Sequence, residues 1–350
     1  MSVVHVIPSG VFANTYHGSY KDTISRVRFL ETRVDGYRQI CLDVDDPRGV
    51  LRVIDPGTRP SFLIEYSSFP NVVRTLRRQF PKAFIAVRSH NLEPLQHFDN
   101  HGWWPTKGPL WLTYGMGHLF RSDLICKRYA SAIWSISDWE NRVYWNRLPG
   151  RAAVQWFPYS CPAHLLPPST TPLEHRHRIA CMPTSEKNRK SWDLVTRFIA
   201  FAEKMKEVTR DQFEYVITGR LSDWGLPDSS AVAYTGMVDD LNSFLQSVRA
   251  VAMLSDKGYG FKTTIGDAIA NGALAIVDAG LNRRCPRVFD EGLIVLNSLS
   301  PPDIAAAAQQ LGSRQSIPEL DLRCREQALQ ILSDAFLKPT AVSANHQPAC

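Results

Sequence analysis

The stretch Lys257-Gly258-Tyr259-Gly260-Phe261-Lys262 brings two glycines and a lysine to the start of a helical segment that opens with Thr263 and Thr264. Gly258 and Gly260 carry no Cβ, so the backbone there can come close to a ligand. A helix start offers unpaired N–H groups and the positive end of the helix dipole, and Lys262 adds a full charge beside them. Phosphate binding is the chemistry such a stretch supports. A kinase-like or dinucleotide enzyme could use the same loop.

Two other stretches concentrate ionisable groups. Arg88-Ser89-His90-Asn91-Leu92-Glu93 follows directly on an apolar run over 83–87, and reads either as a site or as a polar strand-to-helix turn. The loop 183–190 sets Lys187, Arg189 and Lys190 just before a helix start, and Arg220 follows Gly219 at the end of an apolar run over 213–218. The adjacent pairs Asp45-Asp46 and Asp239-Asp240 fit a loop and a helix cap, so no carboxylates are assigned to a metal. Ser137, with Glu140 three residues on, reads as a capping box, and no chemistry is assigned to it.

The elements that must position these groups alternate. Around the glycine loop, apolar runs at 250–254 and 273–277 read as strands and 263–271 as a helix, which Gly272 ends. Upstream, strands are expected at 3–7, around Ile40 and Leu42, and at 61–66, 83–87, 132–136 and 154–157. Helices are expected at 20–33 and 72–80, and at 110–129 with interruptions at Gly115 and Gly117. The second half repeats the alternation, with strands at 179–182, 213–218, 232–234 and 292–296 and helices to about 206, 248, 311 and 336. Residues 280–289 read as a basic loop. Prolines 158, 162, 167, 168 and 172 mark a linker. The organisation expected is an α/β chain of two facing doubly wound, Rossmann-like domains with a cleft between them: a first domain at 1–160, a proline-rich linker at 161–177, a second domain at 178–325, and a terminal helix and tail at 326–350.

Bulk properties narrow the class. With 44% hydrophobic and 21% charged residues, the composition is that of a globular protein. The net charge of +6 suits a phosphorylated substrate or an anionic membrane surface and does not by itself indicate nucleic acid. Seven scattered cysteines without a CxxC argue against a zinc site or a disulfide framework and fit a reducing, cytoplasmic setting. No signal peptide is expected, and no apolar run approaches the ~20 residues of a bilayer span. The tryptophans Trp103, Trp104 and Trp111 could cradle a sugar face, touch a membrane interface or pack internally.

From Gly236-Met237-Val238-Asp239-Asp240-Leu241 through the run from Gly258 to Val277, the second half resembles the retaining, nucleotide-sugar-dependent glycosyltransferases of the GT-B fold, in the group 1 class. The latter run is similar to that family's G-x-G-x-K-x-x-x-x-E-A-x-A-x-G-x-x-x-V pattern. In the first half the stretches at 88–93 and 135–140 resemble the family's strand-end histidine and its serine–glutamate helix start, and Phe157-Pro158-Tyr159 resembles its turn into the second domain. There are two departures. Asp267 stands where the family has a ribose-binding glutamate. Lys257 stands where it has an acid before the first glycine, with Asp256 displaced by one position.

The resemblance implies roles. Gly258, Gly260, Lys262, Thr263 and Thr264 would hold the diphosphate, with Lys187, Arg189 or Arg220 as a second cation. Asp267 would take the ribose hydroxyls, Asp256 a sugar hydroxyl, and the backbone around Gly236 and Val238 the base. His90 would position the reacting sugar, with Lys262 and Arg189 stabilising the leaving group. No metal or other cofactor is expected, the nucleotide-diphosphate sugar being the donor substrate. The acceptor would be a saccharide, a lipid-linked or a small molecule, with peripheral membrane contact open. The alternatives are a sugar-nucleotide epimerase of the same fold and a non-catalytic nucleotide-sugar-binding protein. A variant acting on modified DNA would need a basic groove from Arg74, Arg77 and Arg78, or from Arg283, Arg284 and Arg287.

Overall fold

A computed structural model describes all residues except 1, 14–17, 102–107, 160, 162–170, 185–187, 211, 222, 223, 228, 256 and 339–350, and all described side chains except those of 100 and 101. Strands that are apolar at consecutive positions must be covered on both faces, which parallel sheets flanked by helices achieve. The first half follows that rule. It runs β1 (Ser2–Pro8), α1 (Gly18–Arg33), β2 (Gly36–Leu42), α2 (Pro47–Leu51), β3 (Pro60–Glu65) and α3 (Pro70–Gln79). It continues through β4 (Ile85–Ser89), α4 (Glu93–His101), α5 (Gly108–Tyr129), β5 (Ala132–Ser135), α6 (Asp138–Val143) and β6 (Ala153–Trp156). These strands form one parallel sheet in the order β2-β1-β3-β4-β5-β6.

The second half starts at β7 (Arg178–Cys181), α7 (Arg189–Thr209), β8 (Glu214–Thr218), β9 (Ala233–Gly236) and α8 (Leu241–Ser247). It goes on through β10 (Val248–Met253), α9 (Thr263–Ala270), β11 (Leu274–Asp278) and α10 (Ala279–Asn282). It closes with β12 (Leu293–Leu296), α11 (Pro301–Ser313) and α12 (Glu319–Phe336). Its parallel sheet has the order β12-β11-β10-β7-β8-β9. In each sheet the strand order reverses once, between β1 and β3 and between β7 and β10. Crevices beyond the carboxyl ends of strands at such reversals are where doubly wound sheets bind ligands.

The helix α12 joins the two halves. Leu320 and Cys324, at its start, belong to the core around the second sheet. Ile331, Leu332 and Phe336, at its end, pack with Val3, Leu30, Trp134 and Phe157 of the first. The Phe336 ring meets Trp134 edge-on at 5.8 Å, and Trp134 stacks on Phe157 at 5.1 Å. The cut expected at 325/326 therefore falls inside one continuous helix.

Three other expectations change. The helix α5 runs unbroken through Gly115 and Gly117, where interruptions were expected. A Cβ on Gly115 would overlap the His97 ring of α4, so this glycine serves the close packing of two helices. The expected basic loop at 280–289 is largely wound, into α10 and a 3-10 turn over Arg287–Gly292. Ser137 does cap α6, accepting from the Glu140 N–H at 3.2 Å, but both carboxyl oxygens of Glu140 are buried with no hydrogen-bond partner, so the reciprocal half of the capping box does not form. No described helix is long and apolar enough to cross a membrane. Trp103, Trp104 and most of the expected linker lie outside the described residues.

Candidate active site

The glycine loop leaves the end of β10 and turns through positive φ at Gly258 (77°) and Gly260 (87°). Gly260 is pressed against the end of β4 so closely that a Cβ would come within 3.0 Å of the His90 carbonyl oxygen. Only glycine meets both demands at that position. The Asn91 amide, oriented so that its nitrogen faces two carbonyls, donates to His90 and Tyr259, each at 2.9 Å. From above, α4 holds the loop: the Gly258 N–H donates to Asp99 Oδ2 at 2.5 Å and the Tyr259 N–H to Gln96 Oε1 at 3.0 Å. Arg284 donates to the Gly258 carbonyl.

Lys262 caps the start of α9 without a side-chain hydrogen bond to the helix, leaving its first N–H groups for another acceptor. Burial pushes the Lys262 ammonium well below its ordinary pKa, and the neighbouring Lys190 and Arg284 push it further down, against the smaller opposing pull of Asp99 and Asp278. Three cations gathered at a helix start are an arrangement that an anion would relieve.

Beside these groups a cavity of about 460 Å³ opens between the two sheets. The first half contributes Ser19, Tyr66, His90 and Glu93, and the second contributes Thr184, Lys190, Lys262, Thr263 and Thr264. His90 stacks on Tyr66 with ring centroids 4.2 Å apart and planes at 18°. Its Nε2 lies 3.1 Å from Glu65 and its Nδ1 3.5 Å from Asp22. Burial lowers the His90 pKa, and the two carboxylates do not fully offset it. These carboxylates belong to a buried network: Glu65 takes His5 at 2.7 Å and Arg26 at 2.8 Å, and Asp22 takes Arg26 at 2.8 Å and Arg88 at 2.9 Å. Burial works against both acids' charge, but Arg26 and its neighbours hold them below the usual carboxylate range. The network fixes the ring in the cavity wall. Tyr66, at the end of β3, has φ 68°, a left-handed conformation that is costly for an aromatic residue and concentrates at functional positions.

Two further acids stand nearby, Glu93 with a hydrogen bond from Asn91 and Glu140 with none. Burial, then the charge of Asp123, pushes Glu93 up to about 7. Burial pushes Glu140 up to about 8, with Arg88 opposing. A Cβ on Gly260 would lie 3.2 Å from Glu140 Oε1, so this carboxyl group abuts the glycine loop from the opposite half of the chain.

No family model matches the sequence, and no curated protein matches it. Solved structures do match. Sucrose-phosphate synthase from Thermosynechococcus elongatus superposes with a TM-score of 0.59 over 95% of this chain and 94% of that one, at 12% identity. The α,α-trehalose 6-phosphate synthase of Burkholderia multivorans gives 0.57 over 96% and 98%, at 13% identity. A trehalose-6-phosphate protein from E. coli, bound with UDP-2-fluoro glucose, gives 0.58 over 96% of both chains, at 10% identity. The chain has the GT-B fold.

Within this GT-B fold, the residues singled out in the sequence separate into groups. His90, Lys262, Thr263 and Thr264 converge on the larger cavity, with Gly258 and Gly260 in the loop beside it. Arg189 lies in the first turn of α7 but lines a second, smaller cavity. Arg220 is exposed after β8, and Gly236 and Val238 sit at the end of β9, away from both cavities. Lys187 and Asp256 lie outside the described residues.

Asp267 is buried on α9 and already engaged: Lys21 of α1 donates to Oδ2 at 2.6 Å and Tyr159 to Oδ1 at 2.5 Å. A ribose would have to displace one of them. Burial opposes the charge of Lys21, but Asp267 outweighs it and raises the Lys21 pKa. Lys190, Arg284, Glu65, Tyr66 and the Asp99–Gln96 pair were not assigned from sequence. Lys190 was visible as the last cation of its loop and Arg284 as part of a basic run, but neither position revealed the convergence. Among the described residues no group of three or more His, Cys, Asp or Glu side chains is placed to hold a metal ion.

Proposed function

We propose that the chain is a glycosyltransferase that moves a sugar from a nucleotide-diphosphate sugar to a hydroxyl acceptor, with retention and without a metal ion. One observation carries this reading: the half-buried Lys262, at the start of α9, lines the cavity between the two halves together with Lys190 and His90. Breaking the bond between an anomeric carbon and a diphosphate leaves negative charge on the phosphate. Lys262, Lys190 and the first N–H groups of α9 would neutralise that charge in a site shielded from water, where such contacts are strongest. The leaving phosphate itself would take the acceptor's proton, so no protein nucleophile is assigned. His90, held by Glu65 and stacked on Tyr66, would position the transferred sugar. The similarity to a structure bound with UDP-2-fluoro glucose supports a uridine donor.

A thermal-shift screen with UDP-, GDP-, ADP- and dTDP-sugars tests the donor, because a ligand that binds the native state raises its melting temperature. Stabilisation by one sugar nucleotide, together with its hydrolysis or transfer, is expected. Lys262→Ala should lose both while remaining folded, and full activity in that variant would sink the assignment. A second reading, a nucleotide-sugar-binding protein without turnover, is favoured by the engagement of Asp267 with Lys21 and Tyr159. Donor binding without turnover across a broad acceptor panel would select it.

A further inference from the structure

His5 stands in the middle of β1 among Val3, Val4, Val6 and Ile7, with none of its surface exposed. A histidine is costly there unless its ring nitrogens are paired. In a parallel sheet paired residues share a face, and every second residue along a strand returns to it. His5 pairs with Gln39 of β2 and with Leu63 of β3, so Tyr37 and Glu65, each two positions along its strand, lie on the His5 face. Glu65 pairs in turn with Arg88 of β4, and His90 follows two positions later. The register therefore lays Tyr37, His5, Glu65 and His90 along one diagonal that climbs to the larger cavity.

Hydrogen bonds join the four. The Tyr37 hydroxyl lies 3.0 Å from His5 Nδ1, His5 Nε2 lies 2.7 Å from Glu65 Oε1, and Glu65 Oε2 lies 3.1 Å from His90 Nε2. Arg26 donates to both Glu65 oxygens, each at 2.8 Å, and keeps the group ionised against its burial. An ionised carboxylate only accepts, so both histidines must donate to it through Nε2–H. Burial keeps the proton on Tyr37, whose hydroxyl donates to the bare Nδ1 of His5. The other tautomer of His90 would set a bare nitrogen against a carboxylate oxygen. Its Nδ1 is under no such demand, because Asp22 is 3.5 Å away, beyond ordinary hydrogen-bond length. Four donors fill the lone-pair sites of Glu65, and without His5 one of the two on Oε1 is lost. We propose that His5 and Glu65 are positioning residues of the sugar site: Glu65, steadied by His5, locks His90 in the Nε2–H tautomer, so that His90 meets a sugar hydroxyl as an acceptor, through Nδ1. The role at the sugar rests on the reading of the larger cavity as the donor site, whereas the tautomer does not.

Nitrogen–proton correlation spectra of the full chain with labelled histidine, at neutral pH and without ligand, test the tautomer. Both rings are expected as neutral Nε2–H, with His5→Leu and His90→Gln assigning the signals. An Nδ1–H tautomer or a charged ring at either histidine would overturn the proposal. His5→Leu should shift the His90 signals, and His5→Gln, whose amide N–H can replace the lost donor, should restore them. Calorimetry then compares UDP-glucose with UDP as probes. His5→Leu should weaken UDP-glucose by about fivefold or more and leave UDP unchanged, with His5→Gln within about twofold of wild type. Unmoved His90 signals in His5→Leu, or equal effects on UDP and UDP-glucose, would each overturn the positioning role. If neither probe binds the wild type while the spectra come out as expected, the donor reading falls and the locked tautomer stands.

Discussion

Lys262 and Glu140 are each shifted from their ordinary titration range, Lys262 downward and Glu140 upward, and each can be tested through its proton. Desolvation, then the charges of Lys190 and Arg284, lowers the Lys262 pKa; a bound diphosphate would raise it again. UDP binding should therefore be accompanied by proton uptake, measurable as a dependence of binding enthalpy on buffer ionisation. Lys262→Met should abolish the uptake, weaken UDP by about 1.5–3 kcal/mol and raise the melting temperature of the unliganded protein. Glu140 has the opposite sign. Its folded pKa of about 8 lies above the ordinary value of 4.5, so the folded state keeps a proton that the unfolded state has lost. That contribution is fully present below 4.5 and is lost as pH rises through 8. Glu140→Gln should match wild type at pH 5 and exceed it in stability at pH 9; equal stabilities at pH 9 would show that Glu140 does not carry a buried charge there.

At the level of elements, the site is a glycine loop held between two helix starts and a covering helix. Gly260→Ala would put a Cβ against the His90 carbonyl at φ 87°. A cost of about 1–3 kcal/mol in thermal or urea unfolding is expected, together with weaker UDP binding, because the loop must lift from β4. The loop and its flanking strand and helix were legible in the sequence because strand, glycine turn and helix cap are local signals. The covering helix α4 was not. It is nine residues long, carries Pro94 in its first turn, and shows no sustained apolar face; its packing on α5 through Gly115 stabilises it. The same packing explains why α5 continues through two glycines that propensity alone would count as breaks.

At the level of the whole molecule, the two halves are tied by a buried ion pair and by a shared helix. Lys21 and Asp267 are both nearly inaccessible, with side-chain exposures of 6% and 5%. Removing one partner strands the other, so Lys21→Met should cost about 3–5 kcal/mol in unfolding free energy, and Asp267→Asn a comparable amount. If Asp267 acts only as a clasp, the two variants lose donor affinity alike; a loss in Asp267→Asn alone would mark a direct ribose contact. Phe336→Ala, at the end of α12, should cost about 3–5 kcal/mol and loosen the first half although the helix begins in the second. The sequence by itself determined the alternation of strands and helices, the two parallel-sheet halves and the anion-binding character of the loop, because periodicity, glycine placement and capping act over a few residues. Only the tertiary structure decided which charges meet. Lys21 reaches Asp267 across 246 positions, Asp99 reaches Gly258 across 159, and Arg189 turns away from Lys262 into the second cavity. Such pairings depend on how two sheets present their carboxyl ends to one another, and no local pattern encodes that.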